Sequence, residues 1–195
     1  MSAPRDAPVD PAVRRAELLG QRGCVLWFTG LSGAGKTTLA RLLEEALLDE
    51  GRLTYLLDAD VVRTGLNADL GYDAASRTEN VRRLGELART LADSGSIVLV
   101  ASIAPFAADR ARLRERIGAT RFLEVYVATS LELCQERDVK GLYARAASGE
   151  LKGMTGIDSP YEPPPAPDLA IDTGTTSRHV AIGQLLEAGA KVWTS

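Results

Sequence analysis

The octapeptide Gly30-Leu31-Ser32-Gly33-Ala34-Gly35-Lys36-Thr37 constrains this chain more than any other feature of its sequence. Its spacing is G-x-x-x-x-G-K-[ST]. In such a loop the glycines let successive backbone N–H groups turn inward around phosphate oxygens, and the helix that follows presents its positive dipole end. Lys36 then reaches the β- and γ-phosphates of a nucleotide, and the Thr37 hydroxyl is placed to ligate a Mg²⁺ ion bridging them. A chance match to the specified positions in a chain this long is roughly a one-in-a-hundred event.

The flanking sequence supplies the context the loop needs. Cys24 to Thr29 is a continuous apolar run containing Val25, Trp27 and Phe28, the pattern of a strand buried on both faces. After the loop, Leu39, Leu42, Leu43, Ala46 and Leu47 recur at helical spacing until Gly51 stops them. Further apolar runs at Leu53–Leu57, Ile97–Ala101, Phe122–Val127 and Leu169–Ile171 predict four more strands. Helical patterns fill 76–94, 106–117, 130–138 and 176–191 between and after them, and a short one occupies 12–20. Strands alternating with helices indicate an α/β fold of three layers, a P-loop NTPase fold with a five-stranded parallel sheet and helices on both faces.

At 195 residues the chain fits one domain, long enough to bury on the order of two-thirds of its unfolded surface. We read 1–22 as a polar N-terminal segment with the short helix, and 23–195 as a single P-loop domain. Within it, 139–167 differs in composition. Gly141, Gly149, Gly153 and Gly156 are joined by Lys140, Arg145 and Lys152 and then by five prolines between Pro160 and Pro167. It reads as a long basic loop, and loops of that length in compact domains commonly serve as mobile lids.

A net charge of −3 gives no global basic field to attract nucleic acid or an anionic membrane, so anions must be held by local groups. The two cysteines, Cys24 and Cys134, lie in apolar surroundings without metal-ligand spacing, which points to a reduced, cytoplasmic protein. Met1 to Asp10 is Pro-rich and polar with no apolar run behind it, the pattern of neither a signal peptide nor a membrane anchor. His179, the one histidine, falls in the last helical pattern and reads as a surface residue.

Asp58 and Asp60 close the second strand pattern, and in open α/β sheets ligands bind beyond the carboxyl ends of the strands. They can hold metal-bound water and accept the proton of an attacking hydroxyl; alternatively Asp60 caps a short helix through Val61 and Val62. Ser76-Arg77-Thr78-Glu79 matches a capping box, which places a helix start near Arg77. Arg77, Asn80 and Leu84 then share one face, and an arginine and an asparagine at a helix N-terminus form a site for anions and hydroxyls. A solvated face, with Arg82 and Arg83 as surface charges, has the same spacing.

Taken together, Gly30 to Thr37, Leu57-Asp58-Ala59-Asp60-Val61-Val62-Arg63, Gly65-Leu66-Asn67-Ala68-Asp69-Leu70-Gly71-Tyr72, Arg77-Thr78-Glu79-Asn80, Ile103-Ala104-Pro105-Phe106, Lys140-Gly141-Leu142-Tyr143 and Thr155 to Glu162 resemble adenylyl-sulfate kinases. The resemblance runs over roughly 10–173. It implies transfer of the ATP γ-phosphate to the 3′-hydroxyl of adenosine 5′-phosphosulfate, with Mg²⁺ required, giving 3′-phosphoadenosine 5′-phosphosulfate for sulfate assimilation. By position it assigns Lys36, Asp60 and Arg77 to catalysis, Asp60 as base or orienting group at the 3′-hydroxyl. Residues 30–37, Thr38 and Arg137 fall to ATP; Asp60, Arg63, Tyr72, Arg77, Asn80, Ile103, Lys140, Leu142 and Met154 to the acceptor; Thr37 and Asp58 to the metal. A homodimer is implied as well.

The chain also departs from the family pattern. Tyr72 and Met154 stand where an aromatic pair of phenylalanines commonly sandwiches the acceptor adenine, and methionine packs without a ring face. Ala104 replaces a serine associated in some relatives with a phosphoenzyme, which favours direct in-line transfer. Ala59, Val61, Thr64 and Ala107 also differ from common family residues. Two other readings accompany the first: a kinase for a related nucleoside or nucleotide hydroxyl, and a non-catalytic regulatory domain that has kept the fold.

Overall fold

The computed structural model describes residues 10–194; most of the Pro-rich start lies outside the described residues. Strand β1 (Cys24–Thr29) is buried along its whole length because it sits in the middle of the sheet. It pairs in parallel with β3 (Ile97–Ala101) on one side, Cys24 opposite Ile97, and with β4 (Phe122–Val127) on the other, Val25 opposite Phe122. Strands β2 (Thr54–Asp58) and β5 (Leu169–Ile171) form the edges, giving the order β2-β3-β1-β4-β5 in one parallel five-stranded sheet. The expected fold is therefore observed, with β1, β3, β4 and β5 at their predicted limits.

The period-two alternation of side chains divides the core in two. Cys24, Leu26 and Phe28 meet Leu39, Ala40, Leu43 and Leu47 of α2 (Lys36–Asp49) and Ala181, Leu185 and Trp193 of α8 (Arg178–Trp193). On the opposite face, Val25 and Trp27 meet Val81, Leu84, Ala88 and Ala92 of α4 (Ala74–Asp93) and Leu113 and Ile117 of α5 (Ala107–Ile117). A two-turn helix α1 (Pro11–Leu19) ends at Gly20 in the left-handed conformation, as its sequence predicts. With all strands parallel, the loops after β1, β2, β3 and β5 emerge at one end of the sheet, where ligands bind in such folds.

Three expectations need correction. The capping box Ser76–Glu79 does not form: α4 begins earlier, capped by Asp73, whose carboxylate accepts from the Ser76 N–H at 3.0 Å, while Glu79 pairs with Arg82 and Arg83. Two arginines one turn ahead outcompete a bond back to the cap. The short helix α3 (Ala59–Val62) is capped by Asp58, which accepts from the Asp60 N–H at 2.9 Å, and not by Asp60. Finally, 139–167 is not a structureless loop. It contains α7 (Leu142–Ala147), and its Tyr143 and Met154 are buried in the core cluster beneath α2. The apolar positions are spaced too widely for a periodic signal, and the surrounding glycines and prolines mask them.

Candidate active site

A cavity of about 1050 Å³ opens at the carboxyl end of the sheet. One wall is the glycine loop. Its start is fixed by Gly30, at φ 149°, where a Cβ would stand 2.6 Å from the Val127 carbonyl oxygen; only glycine lets β1 turn this close to β4. The Lys36 ammonium donates to the carbonyls of Gly30 at 3.0 Å and Leu31 at 2.7 Å. Those partners are neutral. Desolvation, reinforced by the like charge of Lys140, pushes the Lys36 pKa down to about 8. A cation so placed gains from any anion that enters.

Beside it, the Thr37 hydroxyl donates to Asp58 Oδ2 at 2.8 Å, while the other carboxylate oxygen caps α3. Asp58 lies behind Thr37 and off the cavity wall, as do Gly30, Leu31 and Ala34. A hydroxyl backed by one carboxylate is a set of hard oxygen donors. Among the described residues no cluster of three or more His, Cys, Asp or Glu could hold a metal by itself. The oxygens of Thr37 and Asp58 are of the kind Mg²⁺ takes, an ion that keeps several waters and draws its remaining ligands from phosphates.

Arg137, at the end of α6 (Leu131–Arg137), donates to the Thr173 hydroxyl at 2.7 Å and the Thr173 carbonyl at 3.0 Å, and more weakly to the Gly33 carbonyl at 3.4 Å. It thus braces the glycine loop against the turn after β5. Ser32, Gly33, Gly35, Thr37, Thr38 and Arg137 all line the cavity, as expected of a donor-nucleotide wall.

The facing wall gathers the residues expected on the acceptor side. Asp60, in the first turn of α3, forms an ion pair with Lys140 from across the cavity. Arg63 lies over the Tyr72 ring, its guanidinium carbon 4.5 Å from the centroid, and donates to the carbonyls of Leu70 and Gly71. Tyr72 is 67% exposed and forms an open platform, whereas Met154 is buried at 6%. Arg77 donates to the Tyr72 carbonyl at 2.6 Å and bonds to the Thr155 hydroxyl and the Gly153 carbonyl, so it ties α4 to the lid. Burial, and then the like charge of Arg63, push its pKa below the usual arginine value. Asn80 is buried and still reaches the wall, as do Ile103 and Leu142.

Several contributors escaped the sequence reading. Asn67, fully buried, donates to the Asn80 side-chain oxygen at 3.0 Å and so fixes how that amide faces the cavity. Thr173, Thr176 and Arg178 line the cavity as well; Arg145, Lys152 and Thr155, which the sequence places in the 139–167 segment without a role in the site, also line it. The run after β5 had a signal, its place at the carboxyl end of a strand; Asn67 had none beyond its motif. His179 is exposed, and the free thiols of Cys24 and Cys134 are buried, Cys24 being pushed up to about 12 by desolvation. None of the three touches the site's chemistry.

Residues 22–172 match the family model described as adenylylsulphate kinase. The chain belongs to that family. The adenylyl-sulfate kinase of Aeromonas salmonicida is 52% identical over 174 residues, 89% of each chain. That of an Enterobacter species is 55% identical over 159 residues, 82% of this chain and 79% of the relative. Among solved structures, the APS kinase of Mycobacterium tuberculosis in complex with AMPPNP and APS superposes with a TM-score of 0.81 at 46% identity, covering 86% of this chain and 97% of that one. Sequence resemblance and family membership agree, and in this chain a phosphate loop and a cationic second wall share a single cleft. Among the described residues no helix is long and apolar enough to cross a membrane.

Proposed function

We propose that the chain is an adenylyl-sulfate kinase, transferring the γ-phosphoryl group of ATP to the 3′-hydroxyl of adenosine 5′-phosphosulfate. The observation that carries the proposal is the joining, in one cavity of a family member, of the Lys36 loop and a second wall with one carboxylate and several fixed cations. In the reaction the 3′-oxygen bonds to the γ-phosphorus, the bond from that phosphorus to the β,γ-bridging oxygen breaks, and its electrons leave with ADP.

Each residue then has a task that follows from its placement. Asp60 accepts the 3′-hydroxyl proton, a contribution of about 10²- to 10⁴-fold for a well-placed base. Lys140, its partner in this structure, lines the same cavity as Lys36 and moves onto the phosphate oxygens, where charge accumulates in the loose transition state. Lys36 meets the β- and γ-phosphates from the loop side. Arg63, Arg77 and Asn80 supply donors to the phosphosulfate and ribose, and Tyr72 and Met154 flank the adenine. Thr37 and Asp58 are the residues that would hold Mg²⁺, which when bound would supply charge neutralisation on the triphosphate. Ala104 has no hydroxyl to carry a phosphoryl group, which favours direct in-line transfer. Assembly as a homodimer belongs to the same proposal.

The test is ADP formation by purified protein with Mg-ATP and either adenosine 5′-phosphosulfate or a panel of unsulfated nucleosides and nucleotides. Strong preference for adenosine 5′-phosphosulfate is expected. Preference for an unsulfated acceptor would transfer the reading to a related kinase, and no ADP with any acceptor would leave a non-catalytic domain.

A further inference from the structure

Arg110, on α5, is 3% exposed and does not line the cavity, yet one of the groups it holds, Ala104, does. Its Nε bonds Glu124 of β4 at 2.7 Å, Nη1 donates to the Ala104 carbonyl at 2.7 Å, and Nη2 donates to the Glu162 carbonyl at 2.6 Å. The guanidinium also sits 5.9 Å from the ring centroid of Tyr161. A buried ion pair is weak support for stability, because desolvation offsets most of the attraction. Its value lies in what the planar fork fixes, and here the fork spans two chain segments distant in sequence.

The first segment is the loop Ser102–Pro105, which lines the cavity. Ala104 in it has φ 41°, a left-handed conformation that a non-glycine residue keeps only where its surroundings enforce it. The second segment is the C-terminal root of the lid. Glu162 donates its N–H to the Pro105 carbonyl at 2.8 Å, and its side chain accepts from the Ala107 N–H at 2.7 Å. Next to it, Tyr161 shares a 3.0 Å bond with the Thr29 hydroxyl, which itself donates to the Ile103 carbonyl at 2.6 Å. Because the single Thr29 proton goes to Ile103, the Tyr161 hydroxyl is the donor in that pair. Loop and lid root are bonded from both sides.

We propose that Arg110 is a positioning residue for the phosphoryl acceptor, aided by Tyr161 through Thr29: together they lock the loop 102–105 against the lid root and so set acceptor affinity without touching either substrate. The inference rests on the kinase reading above. Arg110→Lys keeps a cation for Glu124 but cannot bridge both carbonyls. We expect it to raise KM for adenosine 5′-phosphosulfate roughly ten- to a hundredfold, the loss of one or two charge-assisted bonds. KM for ATP should stay within about twofold, since Arg110 makes no contact with the glycine loop. Tyr161→Phe should raise the acceptor KM roughly two- to tenfold by the same reckoning for one neutral bond.

A cooperatively melting Arg110→Lys enzyme with an unchanged acceptor KM, or with both KM values raised alike, would overturn the proposal. Should that variant fail to melt cooperatively, Tyr161→Phe decides, and an unchanged acceptor KM there overturns it equally. Wild-type protein that phosphorylates no adenosine 5′-phosphosulfate in the same assay would remove the parent reading and this inference with it, an outcome distinct from the other two.

Discussion

Lys36 is a cation whose hydrogen-bond partners are neutral carbonyls, with no carboxylate of the described residues in direct contact. Its pKa falls from 10.5 unfolded to about 8 folded, through desolvation first and Lys140 second. Below about 8 both states are charged and the penalty on folding is complete; between the two values the unfolded chain holds more protons, so this group makes stability rise with pH. Nucleotide phosphates supply the missing charge and must restore the proton. Binding of an ATP analogue near pH ~9 should therefore take up close to one proton, read by calorimetry in two buffers of different ionisation enthalpy. Lys36→Arg, charged at every relevant pH, should take up none. Equal uptake by both proteins would place the proton elsewhere. Asp60 lends itself to a second test. Asp60→Asn should lower kcat by about 10²- to 10⁴-fold while the ATP-analogue affinity stays within about threefold; equal loss of both would make the residue structural. The residues tested here were legible because they sit in contiguous motifs. Asn67 and Thr173 were not, because their value lies in a partner, Asn80 and Arg137 respectively, and sequence does not display partners.

At the level of elements, strands β1 and β3 were legible because complete burial enforces apolar runs, and β4, nearly as buried, keeps its pattern around a single charge, Glu124; the edge strand β5, buried only at Ile171, showed a shorter run. Helix starts were harder: Ser76–Glu79 reads as a capping box, yet the helix is capped by Asp73 and Glu79 is taken up by two arginines. The lid was harder still. Its helix α7 has a single buried anchor, Tyr143, whose hydroxyl donates to the Ser32 carbonyl of the glycine loop at 2.9 Å. The Asp138 carboxylate holds the helix start through the N–H groups of Tyr143 and Ala144, and those bonds keep its pKa below the usual aspartate range. One hydroxyl therefore connects lid to donor site. Tyr143→Phe should raise KM for ATP roughly two- to tenfold, the worth of one neutral hydrogen bond, and speed amide exchange across α7. Unaltered exchange and KM would show that ring packing alone holds the lid.

For the whole molecule, the parallel sheet fixes where the cleft lies, and the lid segment determines how its two ends communicate. The lid is bonded to the donor side through Tyr143 and Ser32, and to the acceptor side through Arg77 with Gly153 and Thr155 and through Lys140 with Asp60. A ligand at either end therefore meets part of the same segment, and we expect the first to restrain motion of the segment that the second would otherwise have to restrain. Such coupling is reciprocal in binding free energy. An ATP analogue at a hundredfold excess over its Kd contributes about 2.7 kcal/mol of stability, and each kcal/mol moves Tm by about 2–4 °C in a chain of this size, so a rise of roughly 5–11 °C is expected. Adenosine 5′-phosphosulfate at the same excess should do likewise, and the two together should exceed the sum of the separate stabilisation energies by about 1 kcal/mol or more, equivalent to at least about fivefold tighter binding of each in the presence of the other. Lys140→Ala should reduce that excess by removing one of the lid's bonds to the acceptor wall. Stabilisation energies that simply add in the wild-type protein would mean that the two ends of the cleft close independently, and the lid would then serve to exclude water from each without linking them.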